Sequence, residues 1–101
     1  MAKLVPVEVF DLIIFGGTGD LAMRKLLPAL YHRHGAGQFT GDSRIIAAGR
    51  SALSRKKYLD TVRQALRDNL ADGEFDAGQW KSFAARIHYL RLDALAHDEW
   101  D

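Results

Sequence analysis

The stretch from Phe10 to Leu30, FDLIIFGGTGDLAMRKLLPAL, constrains the fold of this chain more than any other. It opens as an apolar run broken only by Asp11, passes through Gly16-Gly17-Thr18-Gly19, and continues with helical spacing. Strand, glycine turn and helix in that order make a place for a phosphate. The turn brings bare backbone close to a ligand, and the helix N-terminus offers unpaired N–H groups and a positive dipole end. Gly17, Gly19 and Ala22 fit G-x-G-x-x-A, while Gly16, Gly19 and Ala22 fit the looser G-x-x-G-x-x-A. In either register Gly19 stands where backbone approaches a pyrophosphate, and Ala22 where the helix packs close to the strand. A plain strand-to-helix turn is the competing reading, against which the preceding apolar run counts. No G-x-x-x-x-G-K-[ST] loop can be read here.

In chain order, Met1 to Glu8 reads as a lead-in and Val9 to Phe15 as a first strand. Its near-continuous apolar character predicts a parallel strand covered on both faces. A helix follows from Gly19 or Asp20, with the Asp20 carboxylate favoured at its positive end. Pro28 falls inside the apolar pattern Leu21, Leu26, Leu27, Leu30 and is expected to kink or break that helix. Gly35-Ala36-Gly37 ends the helical segment, and 40–43 is a polar loop. Arg44 to Gly49 is the second strand. Ser54 caps a helix running to about Leu70, with Tyr58, Val62, Ala65, Leu66 and Leu70 on one face. Ala71-Asp72-Gly73 stops it. A shorter helix spans Ala77 to Ala85, with Trp80, Phe83 and Ala84 inward. Ile87 to Leu92 alternates as a third strand, and Asp93 to Asp101 reads as a turn entering another helix.

Strands joined by helical crossovers are parallel. The expected fold is therefore α/β, a β-α-β-α-β half of a Rossmann-like doubly wound parallel sheet with strand order 3-2-1. The first strand would then lie at an open edge, so the chain reads as part of a larger sheet.

The 101 residues give room for one small domain across 1–101. Nucleic acid is not an expected partner: the net charge is +1, and the Arg50-to-Lys57 cluster lacks interleaved aromatics. No apolar run approaches the length of a membrane span, and the N-terminus has no signal-peptide core, so the expectation is a cytoplasmic protein with no membrane partner. There is no cysteine, which removes disulfides and thiolate metal sites. His32, His34, His88 and His97 have no metal-ligand spacing, and no nucleophile–histidine pair can be assembled. Arg50 is different. It closes the second strand, where an acidic residue would accept the ribose hydroxyls of NAD and an arginine holds the 2′-phosphate of NADP. Its planar fork pairs with phosphate oxygens bidentately. Ser51 adds a hydroxyl and Arg55 a second charge, and a solvated basic loop is the alternative. Thr18 can offer its hydroxyl to the pyrophosphate.

The residues after the glycines sharpen the picture. Gly16 to Leu30 resembles the N-terminal signature of glucose-6-phosphate dehydrogenases, G-[GA]-x-G-D-L-A-x-R-K-L-x-P-A-L, with Met23 in place of the usual Lys. The resemblance continues through Tyr31 and Ile45-Ile46-Ala47-Ala48-Gly49-Arg50. It implies NADP as cofactor, with NAD an open alternative, held by Gly16, Gly17, Thr18, Gly19, Asp20, Leu21 and Ala22. It also implies 2′-phosphate contacts from Arg50 and Ser51, and a substrate-side role for Lys25, which the residues alone leave as an exposed helix lysine. The family transfers hydride from C1 of glucose 6-phosphate to NADP, giving 6-phosphogluconolactone in the pentose phosphate pathway. The full-length enzyme is expected to be an oligomer. Its catalytic histidine comes from an R-I-D-H-Y segment that these residues lack. The chain is thus expected to be a coenzyme-binding portion without catalytic residues, inactive alone. The rival from another class is a non-catalytic nucleotide-binding module of the extended short-chain reductase type, which also opens with G-[GA]-T-G. No Tyr-x-x-x-Lys accompanies it here.

Overall fold

Three strands alternate with helices in a computed structural model that describes residues 10–39 and 41–92. β1 is Asp11–Phe15, β2 Arg44–Gly49 and β3 Ile87–Arg91. They form one parallel sheet with β2 in the middle, which is the expected 3-2-1 order read from the other side. A π-helical turn, Ala22–Leu26, runs directly into α1, Leu27–Gly35. The other helices are α2, Arg55–Asn69, and α3, Ala77–Ala84. The readings of 1–9 and 93–101 lie outside the described residues.

Local signals place most of these elements. Ser54 and Asp76 stand in extended backbone ahead of α2 and α3, and their side chains accept from Lys57 N and Gln79 N respectively. Each satisfies one of the donors that a helix start leaves open. On α2, Tyr58, Val62 and Leu66 recur at four-residue spacing and are fully buried. They meet Leu27 and Tyr31 of α1, Phe83 of α3, and Ile14, Ile45, Ala47 and Ile87 from the sheet. Tyr31 also ties α3 down through its hydroxyl, which donates to Asp76 O and accepts from Asp76 N.

Two expectations need correction. Of the kink or break expected at Pro28, the break does not occur. The turn before it is widened instead, with Leu27 N–H donating to Ala22 O five residues back, and Pro28 follows within the first turn of α1. A proline lacks the N–H a regular turn would use, and the i→i+5 turn absorbs that loss. The widening also shifts which residues face inward. Ala22 and Leu27 are buried, whereas Leu21 and Leu26, expected on the same apolar stripe, are exposed.

The sheet is also not covered on both faces among the described residues. Alternation along the strands puts Ile14, Ile45, Ala47 and Ile87 in the core. On the opposite face Ile13 and Phe15 of β1 remain 52% and 73% exposed, and Leu90 of β3, level with Phe15 across Ala48, is exposed too. The continuous apolar pattern of β1 exceeds what the helices described here can bury.

Candidate functional site

The strands end together. Phe15 lies level with Ala48, and Gly49 with Arg91, so the segments after β1 and β2 emerge side by side at the carboxyl edge of the sheet. In a doubly wound fold that edge is where ligands bind.

The glycines of the first segment have separate tasks. Gly16 takes φ +71°, which turns the chain out of β1 in the left-handed region that only glycine adopts without strain. Gly17 is buried, and its N–H donates to Ala48 O at 2.9 Å, pinning the loop against β2. A Cβ there would lie 2.7 Å from the Ala47 Cβ, so close packing, rather than ligand approach, demands that glycine. Gly19 N donates back to Gly16 O at 2.9 Å, and Gly19 O accepts from Met23 N as the helix begins. Thr18, Gly19, Asp20 and Leu21 are exposed around this turn. The N–H groups of Thr18 and Asp20 take no backbone partner among the described residues. Ala22 is 2% exposed and packs in the core, as the fingerprint expects of the residue that lets helix and strand approach.

The Thr18 hydroxyl turns toward β2, 3.4 Å from where a Gly49 Cβ would stand. Arg50 follows directly and is exposed. Its carbonyl accepts from Arg91 Nε at 3.3 Å, while its guanidinium makes no hydrogen bond or ion pair among the described residues. The Ser51 carbonyl accepts from the Tyr89 hydroxyl at 2.7 Å. The sequence-predicted Gly16 to Ala22 segment and the Arg50-Ser51 pair are therefore brought to one edge. Lys25 lies on the π-helical turn, exposed, and Asp20 makes a solvated pair with Arg24 at 3.2 Å.

Arg55 does not join them as a second charge. Its Nε donates to Ile87 O at 2.7 Å and a terminal nitrogen to Ala84 O at 2.8 Å, so it fastens α2 to the start of β3. Of the histidines, His32 and His34 are engaged separately, His88 is exposed on β3, and His97 lies outside the described residues. His32 approaches Glu74, and His34 bonds Ser82 and Arg86. No cluster of three or more His, Cys, Asp or Glu residues suited to a metal ion occurs among the described residues.

Two residues escape the sequence reading. Tyr58 was expected only as core, but its hydroxyl donates to Gly17 O at 2.8 Å. Tyr89 was expected only as a strand residue, and it holds Ser51. A tyrosine where a phenylalanine would pack equally well was the available signal, since a buried phenol finds a partner.

The family model for the NAD binding domain of glucose-6-phosphate dehydrogenase matches residues 13–101, the turn and Arg50 included. The chain belongs to that family. The glucose-6-phosphate 1-dehydrogenase of Rhizobium meliloti (strain 1021) is 48% identical over 100 residues, covering 99% of this chain and 20% of its own. The crystal structure of glucose-6-phosphate 1-dehydrogenase from Mycobacterium avium superposes with a TM-score of 0.76 at 29% identity, over 85% of this chain and 18% of that one. A structure of glucose-6-phosphate dehydrogenase in complex with its substrate glucose-6-phosphate gives 0.73 at 28%, over 91% and 18%. The chain thus spans about a fifth of the length of the curated relatives it matches.

Proposed function

We propose that the carboxyl edge of this sheet binds NADP as the coenzyme-binding part of a glucose-6-phosphate dehydrogenase working in the cytoplasm. The observation that carries the reading is the meeting of an open glycine turn with an arginine whose guanidinium takes no partner among the described residues. The turn suits a pyrophosphate: its N–H groups at Thr18 and Asp20 take no backbone partner among the described residues, and the N-terminus of the following helix adds a positive end. Arg50 stands where a second, 2′-phosphate would lie. Ser51 belongs to the same contact.

NADP, when bound, supplies the hydride acceptor for oxidation of glucose 6-phosphate at C1 to the lactone. This chain's residues bind and orient: Gly16 to Ala22 hold the shared pyrophosphate, and Arg50 and Ser51 select the phosphorylated ribose. Lys25, exposed on the π-helical turn, faces the sugar-phosphate side in this reading. The base that takes the C1 hydroxyl proton is assigned to no residue here.

Titration of the chain with NADP and NAD by calorimetry tests the proposal. A charge-assisted hydrogen bond contributes roughly 1.5–3 kcal/mol, so NADP should bind about 10- to 150-fold more tightly. Gly19→Val should weaken both cofactors together, because a branched side chain would fill the turn. Equal affinities for NADP and NAD would remove the 2′-phosphate from the reading, and absence of binding by either would overturn it.

A further inference from the structure

The turn and the Arg50-Ser51 segment are each held from below by one tyrosine hydroxyl. Tyr58, on α2 and fully buried, donates to Gly17 O at 2.8 Å. Tyr89, on β3, donates to Ser51 O at 2.7 Å. Their rings stack at 4.8 Å between centroids with 27° between planes. The backbone is built around both oxygens. A Cβ on Gly17 would lie 3.0 Å from the Tyr58 hydroxyl, and a Cβ on Gly49 would lie 3.0 Å from the Tyr89 hydroxyl.

We propose that Tyr58 and Tyr89 are positioning residues that divide coenzyme recognition, Tyr58 setting the turn that both cofactors use and Tyr89 setting the segment that distinguishes them. The inference rests on the NADP reading above. Each hydroxyl fixes a carbonyl next to a ligand-facing group: Gly17 precedes Thr18, and Ser51 follows Arg50. Holding the Ser51 carbonyl, together with the Arg91 contact to the Arg50 carbonyl, fixes the backbone that launches the Arg50 side chain. Preorganisation of this kind adds affinity by lowering the ordering cost on binding. Burial, and Tyr89 beside it, push the Tyr58 phenol upward, so it stays a donor across the neutral range.

The test is a two-by-two titration of the chain carrying Tyr58→Phe or Tyr89→Phe with NADP and NAD, alongside thermal unfolding of each variant. Both substitutions keep the stacked ring and delete only the hydroxyl. Tyr89→Phe should weaken NADP about three- to tenfold and leave NAD unchanged, on the scale of one neutral hydrogen bond. Tyr58→Phe should weaken both cofactors by a similar factor, leaving their ratio intact. A merely structural role would lower the unfolding midpoint without changing the NADP-to-NAD ratio in Tyr89→Phe. That result, or a changed NADP-to-NAD ratio in Tyr58→Phe, overturns the division while the NADP reading stands. Failure of the unsubstituted chain to bind either cofactor overturns both.

Discussion

Arginines stand at both ends of β2, and they are held in opposite ways. Arg44, which opens the strand, makes two short bonds to the Asp11 carboxylate, Nε to Oδ1 at 2.9 Å and a terminal nitrogen to Oδ2 at 2.7 Å. Nearby, Arg86 donates to the carbonyls of Gly41 and Ser43 and to His34 Nδ1. At the other end, among the described residues, only the backbone of Arg50 is held. An arginine whose donors are spent on its own protein is a fastener; one whose backbone is fixed and whose fork is free among the described residues can still take a ligand. The amino edge of the sheet is closed by its own side chains, whereas at the carboxyl edge the Arg50 guanidinium takes no partner among the described residues.

The contrast can be broken first at Gly17. Gly17→Val would press a branched side chain into Ala47 and the Tyr58 hydroxyl, atoms that cannot swing away. Overpacking of this kind costs about 3 kcal/mol, so urea unfolding should show a large loss of stability along with loss of both cofactors. An unfolding midpoint like that of the unsubstituted chain would show that the loop is not pinned as described.

At the amino edge the loss should fall on stability alone. Arg86→Ala removes the partner of the Ser43 carbonyl, at a buried residue, and should cost about 1–2 kcal/mol in the same assay. The NADP-to-NAD ratio should stay where it was. A change in that ratio would mean the two edges are not independent.

The smallest effect concerns His34. Burial, then the charge of Arg86, hold its imidazole below the ordinary histidine value of 6.5. Arg86 Nε donates to Nδ1, leaving Nε2 to carry the proton toward Ser82 Oγ at 2.8 Å. The folded chain therefore favours the neutral ring, and the unfolded chain takes up the proton first. The stabilisation is complete above the ordinary value and is lost as pH falls through the lower folded value. Unfolding midpoints should decline with acid across that window, and His34→Gln should flatten the decline. An unchanged slope in that variant would assign the pH dependence elsewhere.

How much of this could be read from the residues depends on the distance over which each signal acts. The bounds of β2 and the caps of α2 follow from neighbours a few positions apart, and the structure reproduces them. The glycine turn and Arg50 are likewise marked by local pattern, and strand order then brings them to one edge. The role of Arg55 was not readable, since its acceptors are 29 and 32 residues downstream. The hydroxyl of Tyr58 meets Gly17 across 41 residues, and that of Tyr89 meets Ser51 across 38. The π-helical turn was hidden for a different reason. Pro28 announces that a regular turn cannot form, without specifying whether the helix breaks or widens.

The most direct test compares the two arginines of one strand. Arg50→Ala and Arg44→Ala each remove a guanidinium, and each can be titrated with NADP and NAD. The account predicts that Arg50→Ala loses about 10- to 150-fold in NADP affinity, keeps its NAD affinity and unfolds as the parent chain does. Arg44→Ala should leave the cofactor ratio untouched. Equal losses of NADP and NAD in Arg50→Ala, or an altered ratio in Arg44→Ala, would contradict it.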